Sequence, residues 1–357
     1  MEHHSIGIQR LIHHHVASKN DLSAESVVRW MGAMQAQEYK QALWGIGARM
    51  QSATLADVEM AIANREIVRT WSQRGTIHFV PAQDTLSMLQ LCASRIVAGH
   101  GRRMSQLELT EDVIKQGEKV VIKALQAKKI LTRAELFALF EHAGISTAGQ
   151  RGYHIVWHLA HIGVICMGPM QDKEQTFVLL DEWVPNLRQL SSEEALTELV
   201  WRYFASHAPA TEHDFARWSG LNLTDTRRGI QHNQHRLQAI QIHATTYWMA
   251  DTSTDEPHQR VYLLPAFDEY LLGYQDRSAV LDEEHAQKVV PGNNGVFQPI
   301  IVRDGVVVGT WRHKITKKTV DITVHPFTSL DDIQADILVA VKSFADFIGL
   351  DYRILSP

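Results

Sequence analysis

Cysteine is scarce. Cys92 and Cys166 are the two in 357 residues, each inside an apolar stretch, which excludes a disulfide framework and reads as two buried thiols of a reducing compartment. Long apolar runs are missing as well. Nothing approaches the ~20 residues that cross a bilayer, and the opening Met1-Glu2-His3-His4 lacks the basic-then-apolar order of a signal peptide. The sequence therefore points to a cytoplasmic protein with no membrane partner. No segment combines low hydrophobicity with high charge; 45% hydrophobic and 21% charged residues are ordinary for a chain folded throughout, with length for two or three modules. Phosphate-cradling motifs are absent: neither a Gly-Lys-Ser/Thr loop nor GxGxxG occurs, which argues against a nucleotide cofactor. His13, His14 and His15 offer no metal site, because consecutive helical residues fan out by ~100° and cannot converge on one ion.

Net positive charge is also lacking. A formal −5 counts mildly against phosphate binding, yet distribution matters more than the sum. Residues 95–133 hold nine Lys/Arg, Arg102, Arg103 and Lys128 among them, against four acids. One basic face on a mildly acidic molecule is compatible with nucleic acid; ordinary solvated helix surfaces would look the same.

What is present is a recurring order of elements. The first 66 residues read as helices, with amphipathic periods at 25–34 and 55–67. Short β-prone runs at 68–72 and 76–80, separated by Gln73-Arg74-Gly75, then read as a two-stranded wing. Thr132 with Glu135 is a capping-box signature ahead of 132–143, followed by a helix at 147–161 and wing strands at 163–167 and 176–180. The order recurs with helices at 191–206, 211–219 and 224–238 and strands at 241–250 and 261–265. The last hundred residues are β-rich: 295–302, 305–311 and 319–324, with an Asp304-Gly305 hairpin turn and a Lys-rich turn at 314–318, closed by a helix at 330–348. The expectation is an α+β, mostly helical chain of tandem winged-helix units, helix-turn-helix plus hairpin, over 1–108, 109–190 and 191–275, with a C-terminal β-rich subdomain over 276–357.

Three stretches in this order, Met34-Gln35-Ala36-Gln37 running into Ala42 to Arg49, Arg69 to His78, and Leu263 to Tyr274, with Val308-Gly309-Thr310-Trp311 after them, resemble the AlkZ-like winged-helix DNA glycosylases. The resemblance spans nearly the whole chain. It implies tandem winged-helix units in a C shape around a DNA-sized channel, excision of alkylated purines including those in interstrand crosslinks, and a Gln-aliphatic-Gln motif that holds the attacking water. Gln35 and Gln37 match that motif and place the chain with the Gln-Gln branch rather than with relatives carrying Asp at the second position. Duplex DNA is the implied partner, with a monomeric, nucleoid-associated protein and no cofactor or metal.

Physical chemistry fits the implied reaction. A purine alkylated at N7 is cationic and already a good leaving group, so water must mainly be oriented at the anomeric carbon. Two neutral amides can orient it but not deprotonate it. Residues two apart diverge on a helix and share a side in extended backbone, so a joint role requires the helix to end by about Gln35. Continuous helix over 33–39 would leave two ordinary solvent-facing glutamines.

Further candidates are of two kinds. Arg69, Arg74, Thr76 and His78 flank the first hairpin where phosphates are met, and Trp71 either stacks on sugar or base or fills the core. Arg102 and Arg103 belong to the basic stretch. Arg151, His154 and His158 share one helix face, as do Arg227, Arg228, Gln231 and His235, which is the layout of recognition helices or of solvated polar faces. Asp268 and Tyr270 are candidate pocket residues, with a carboxylate at 268 attractive to a cationic base but better read as a turn residue capping local backbone, and the family pattern gives Asp268 and Glu269 no assigned role. A non-catalytic regulator or repair accessory, or a small-molecule or protein-interaction module, stays open on sequence alone.

Overall fold

Polar caps set where the helices begin. Ser23 accepts the Ser26 amide at the head of Ala24–Met31, and Thr110 accepts that of Val113 ahead of Glu111–Leu125. Thr132 with Glu135 and Thr211 with Asp214 close as reciprocal capping boxes before Arg133–His142 and Glu212–Ser219, satisfying amides that a first turn leaves orphaned. The computed structural model describes the chain except residues 1–2, 19–20, 128, 172, 251–255, 330 and 356–357, so Lys128 of the basic stretch lies outside the described residues. The architecture is α+β, with helix making up about half of the chain rather than most of it. Among the described residues no helix is long and apolar enough to cross a membrane.

The chain divides into two compact units, Ala61–Leu196 and a discontinuous one formed by Met1–Met60 with Thr197–Pro357. In Ala61–Leu196 an antiparallel sheet runs in the order Thr76–Pro81, Ile67–Gln73, Ile165–Met167, Thr176–Leu179, Leu131–Thr132. Its first hairpin turns at Arg74 and Gly75, whose φ of 53° and 70° suit a tight reversal. The hairpin expected over 68–72 and 76–80 is present, and its first strand also joins a larger sheet. Arg69 pairs with Met167, and every residue of Ile67–Gln73 is buried, so the strand lies inside a sheet rather than at its rim. Leu125, Leu136, Phe140, Ile155, Leu159 and Phe177 form the core beneath the helices Glu111–Leu125, Arg133–His142 and Arg151–His161.

In the discontinuous unit, Glu212–Ser219 ends at Gly220, and Asn222 caps Leu223–His232, which stops short of the expected 238. The hairpin Gln238–Ile242 with Thr245–Met249 follows. Among the described residues, five strands form the C-terminal sheet in the order Asp351–Leu355, Thr319–Pro326, Val306–Ile315, Ile300–Arg303, Val261–Leu264. Two of them depart from expectation. Val261–Leu264 joins this sheet by pairing with Ile300–Arg303 instead of serving as a wing strand, and Asp351–Leu355 adds a parallel edge strand. The helix Gln334–Ile348 covers the sheet, with Phe344 edge-on to Trp311 and to Trp44, ring centroids 4.9 and 5.2 Å apart. Such aromatic pairs add roughly 0.5–1.5 kcal/mol each beyond their buried area.

Candidate active site

Gly32 decides where the two amides point. It ends Ala24–Met31 at a φ of 79°, a conformation that strains any residue with a Cβ, while its N–H reaches the Val28 carbonyl at 3.0 Å. The chain then runs extended through Met34–Gln35, and the next helix, Tyr39–Gly47, starts beyond Gln37. The helix expected over 25–34 is therefore shorter, and the geometric condition for paired amides is met. Gln35 Nε2 donates to Gln37 Oε1 at 2.7 Å. Ala36, between them, faces inward at 0% exposure, whereas Gln35 is half-buried and Gln37 exposed.

The residues from Leu263 to Glu269 hold this segment at both ends. Gln35 N–H donates to Glu269 Oε1 at 2.9 Å. Ala266 N–H donates to Gln41 Oε1 at 3.1 Å, and Trp44 Nε1 donates to the Leu263 carbonyl at 2.8 Å. Just past the helix, Arg49 grips Asp268 through two bonds of 2.8 and 2.9 Å, with its Nη1 also on the Gly45 carbonyl at 2.7 Å. Arg49 and Asp268 are both buried, a fork geometry that lets two charges leave water together. A Cβ on Gly45 would lie 3.9 Å from Asp268 Oδ2 and 3.5 Å from Pro265, ordinary van der Waals contact.

Behind the carboxylates lies a buried histidine chain. Tyr274 Oη donates to the His207 carbonyl at 2.9 Å, so it accepts from His14 Nε2 at 2.9 Å, and His14 Nδ1 accepts from Arg49 Nη2 at 3.2 Å. That network assigns a neutral, Nε2-protonated tautomer. Burial holds His14 well below the ordinary histidine pKa, and His207, Arg49 and Arg10 add to the effect. Burial lowers His207 too, against the opposing pull of Glu269.

The residues expected at a nucleic-acid surface separate into buried and exposed groups. Trp71 is 3% exposed within the core of its unit, edge-on to Tyr153 and stacked on His161, so the stacking role is corrected to a core role. Arg69 is buried and bonded to Gln175. His78 is buried, with Nδ1 donating to the Thr76 carbonyl at 3.0 Å and Nε2 accepting from Arg74 at 3.3 Å. Thr76 is half-buried and donates to the Gln73 carbonyl at 3.3 Å. Arg151 is half-buried and donates to the Ser146 and Leu107 carbonyls. His154, 8% exposed, packs against His100 and Trp157, so the supposed recognition face of Arg151–His161 is turned inward at its centre. Arg102 is exposed, while Arg103 donates to Gln150 at 2.7 Å. Arg227 and Arg228 are exposed but paired with Glu212 and Asp225. Asp268 and Tyr270 are both buried. Asp268 caps the Tyr270 amide at 2.8 Å, and the Tyr270 hydroxyl, 0% exposed, donates to the Gly305 carbonyl at 2.6 Å.

Arg49, Gln41 and Glu269 are the residues that sequence reasoning left without a role. The signal for them was an adjacent acid pair, Asp268-Glu269, set in an otherwise apolar stretch, where a carboxylate needs a buried partner.

Two side-chain amides fixed side by side, in a bend held by buried carboxylates, agree with the family the sequence motifs resemble. Residues 28–347 match the model of the family described as DNA glycosylase AlkZ-like, and the chain belongs to that family of DNA glycosylases. Its similarity extends to an interstrand DNA cross-link repair glycosylase from Streptomyces sahachiroi, 25% identical over 331 residues that cover 88% of each chain. The solved structure of the Streptomyces sahachiroi DNA glycosylase AlkZ has the same fold, with a TM-score of 0.82 at 23% identity, covering 99% of this chain and 100% of that one.

Proposed function

We propose that the protein hydrolyses the N-glycosidic bond of N7-alkylated purines in duplex DNA, adducts within interstrand crosslinks included, with Gln35 and Gln37 holding the attacking water. The observation that carries this reading is the 2.7 Å bond between the two amides in extended backbone. With Gln35 Nε2 turned to its neighbour, its Oε1 takes no bond from the described residues and can accept a water proton. The cationic purine leaves with little help, so placing that water at the anomeric carbon is the main task left to the protein. The similar Streptomyces sahachiroi protein is named for crosslink repair, which supports the substrate class. A non-catalytic binder would leave the paired amides unexplained.

The finer architecture is part of the proposal. Three helices and a hairpin follow one another from Glu111–Leu125 to Thr176–Leu179, and again from Ser192–Ser206 to Thr245–Met249. This supports winged-helix units over 109–190 and 191–275, after a first over 1–108 and before the β-rich 276–357. Duplex phosphates fall to exposed cations such as Arg102 and the hairpin lysines Lys314, Lys317 and Lys318, with Arg74, Arg227 and Arg228 able to exchange their present partners for phosphate. The protein acts as a nucleoid-associated monomer without metal or nucleotide cofactor.

The test is release of free 7-alkylguanine from alkylated duplex DNA. The Gln35→Ala/Gln37→Ala variant is expected to bind the duplex as the parent does and to lose release by about a hundredfold or more, the scale of lost positioning. Undiminished release from that variant would end the paired-amide assignment.

A further inference from the structure

We propose that Glu269 is the positioning residue of the reaction, resting on the paired-amide reading above. Its carboxylate is 1% exposed, so it touches no substrate. Oε1 takes the backbone N–H of Gln35 at 2.9 Å and Oε2 the indole N–H of Trp218 at 3.0 Å. The bond to Gln35 joins residues 234 apart in sequence and falls on the residue that carries the first amide.

The chemistry suits a clamp. A charged acceptor makes a shorter and stronger bond to an N–H than a neutral one, and Glu269 is itself anchored. It follows Asp268, whose carboxylate is forked by Arg49, and opens the short helix Glu269–Leu272. Gly273 closes in behind, where a Cβ would meet His207 at 2.6 Å. Two neighbouring carboxylates thus bracket the catalytic segment: Glu269 fixes Gln35 before the bend, and Asp268 fixes Arg49 after the helix that follows it. Released at Gln35, the bend can rotate its amides apart, and water placement is sensitive to shifts of about 1 Å.

The clamp acts on backbone, so its effect separates from that of the side chains it places. Glu269→Met keeps the length and removes the acceptor. It is expected to lower the single-turnover rate of 7-alkylguanine release by about tenfold or more, with duplex affinity unchanged, and to move the Gln35 amide proton upfield in the NMR spectrum as the bond to carboxylate is lost. Glu269→Gln retains an oxygen for the Gln35 N–H and is expected to restore most of the rate. Trp218→Phe strips the indole bond from the same carboxylate, leaving His207 3.8 Å from Oε2; it is expected to lower Tm while leaving the rate within about threefold, which a merely structural carboxylate would not allow. Rates that fall in step with Tm across Glu269→Met and Trp218→Phe, or a folded Glu269→Met protein with the parent rate, overturn the positioning role. If the Gln35→Ala/Gln37→Ala protein is inactive in the same assay, that failure belongs to Glu269 alone; if it is active, the paired-amide reading falls and this role with it.

Discussion

At the scale of single residues, the same side-chain type takes opposite roles according to what surrounds it. Trp71 is core, and Trp71→Ala is expected to cost about 3–5 kcal/mol, the usual cost of an emptied aromatic site, read as a lower urea midpoint. A selective loss of DNA affinity at unchanged stability would instead restore the stacking role. Asp268 is one half of a buried ion pair, so Asp268→Asn, which leaves Arg49 without its charge partner, is expected to destabilise by about 3 kcal/mol or more. A protein that melts with the parent would remove the pair from any account of the site. Gln35 and Gln37 were singled out by the resemblance to the family motif; their own chemistry, two amides ahead of Glu38, would equally describe solvent-facing glutamines at a helix end. The role of Glu269 was not legible, because the acid pair in an apolar stretch signals only that a buried partner is needed, and that partner lies 234 residues away.

At the scale of elements, helix starts and tight turns were legible, whereas the ends of Ala24–Met31 and Leu223–His232 and the long-range pairings were not. The capping boxes at Thr132 and Thr211, the Arg74-Gly75 turn and the Asp304-Gly305 turn, with φ of 46° and 83°, stand where local chemistry puts them. The placement of Val261–Leu264 depends on a strand elsewhere in the chain, so it was assigned to its sequence neighbours and joined a different sheet; the first hairpin formed as its local signals ask, and only its further pairing with Met167 lay out of reach. The hairpin of Val306–Ile315 with Thr319–Pro326 makes an element-level prediction. Its tip carries Lys317 and Lys318 in the turn and Lys314 at the end of the first strand, all exposed. Replacing the three by Ala is expected to leave Tm unchanged and to flatten the salt dependence of duplex binding, by about one unit of log–log slope for each lysine that meets a phosphate. An unchanged slope would move the contact to another element.

At the scale of the whole molecule, buried histidines tie stability to acidity. His14 and His207 in the discontinuous unit, and His154, His158 and His161 in Ala61–Leu196, all have pKa values lowered chiefly by burial, His161 to about 4. The unfolded chain binds protons at histidine below about 6.5, and the folded chain refuses them. Stability should therefore fall as pH drops from about 6.5, with the His161 share, about 3 kcal/mol at most, fully lost by pH 4. Melting curves at pH 7.5 and 4.5 check this, and coincident curves would contradict it. The backbone grip at Gln35 reaches beyond this one chemistry. It seizes an atom that every amino acid but proline presents, so new side chains at 35 and 37 would inherit the same seat. Such a scaffold can trade one hydrolytic chemistry for another through two codons, with proline at position 35 the forbidden choice.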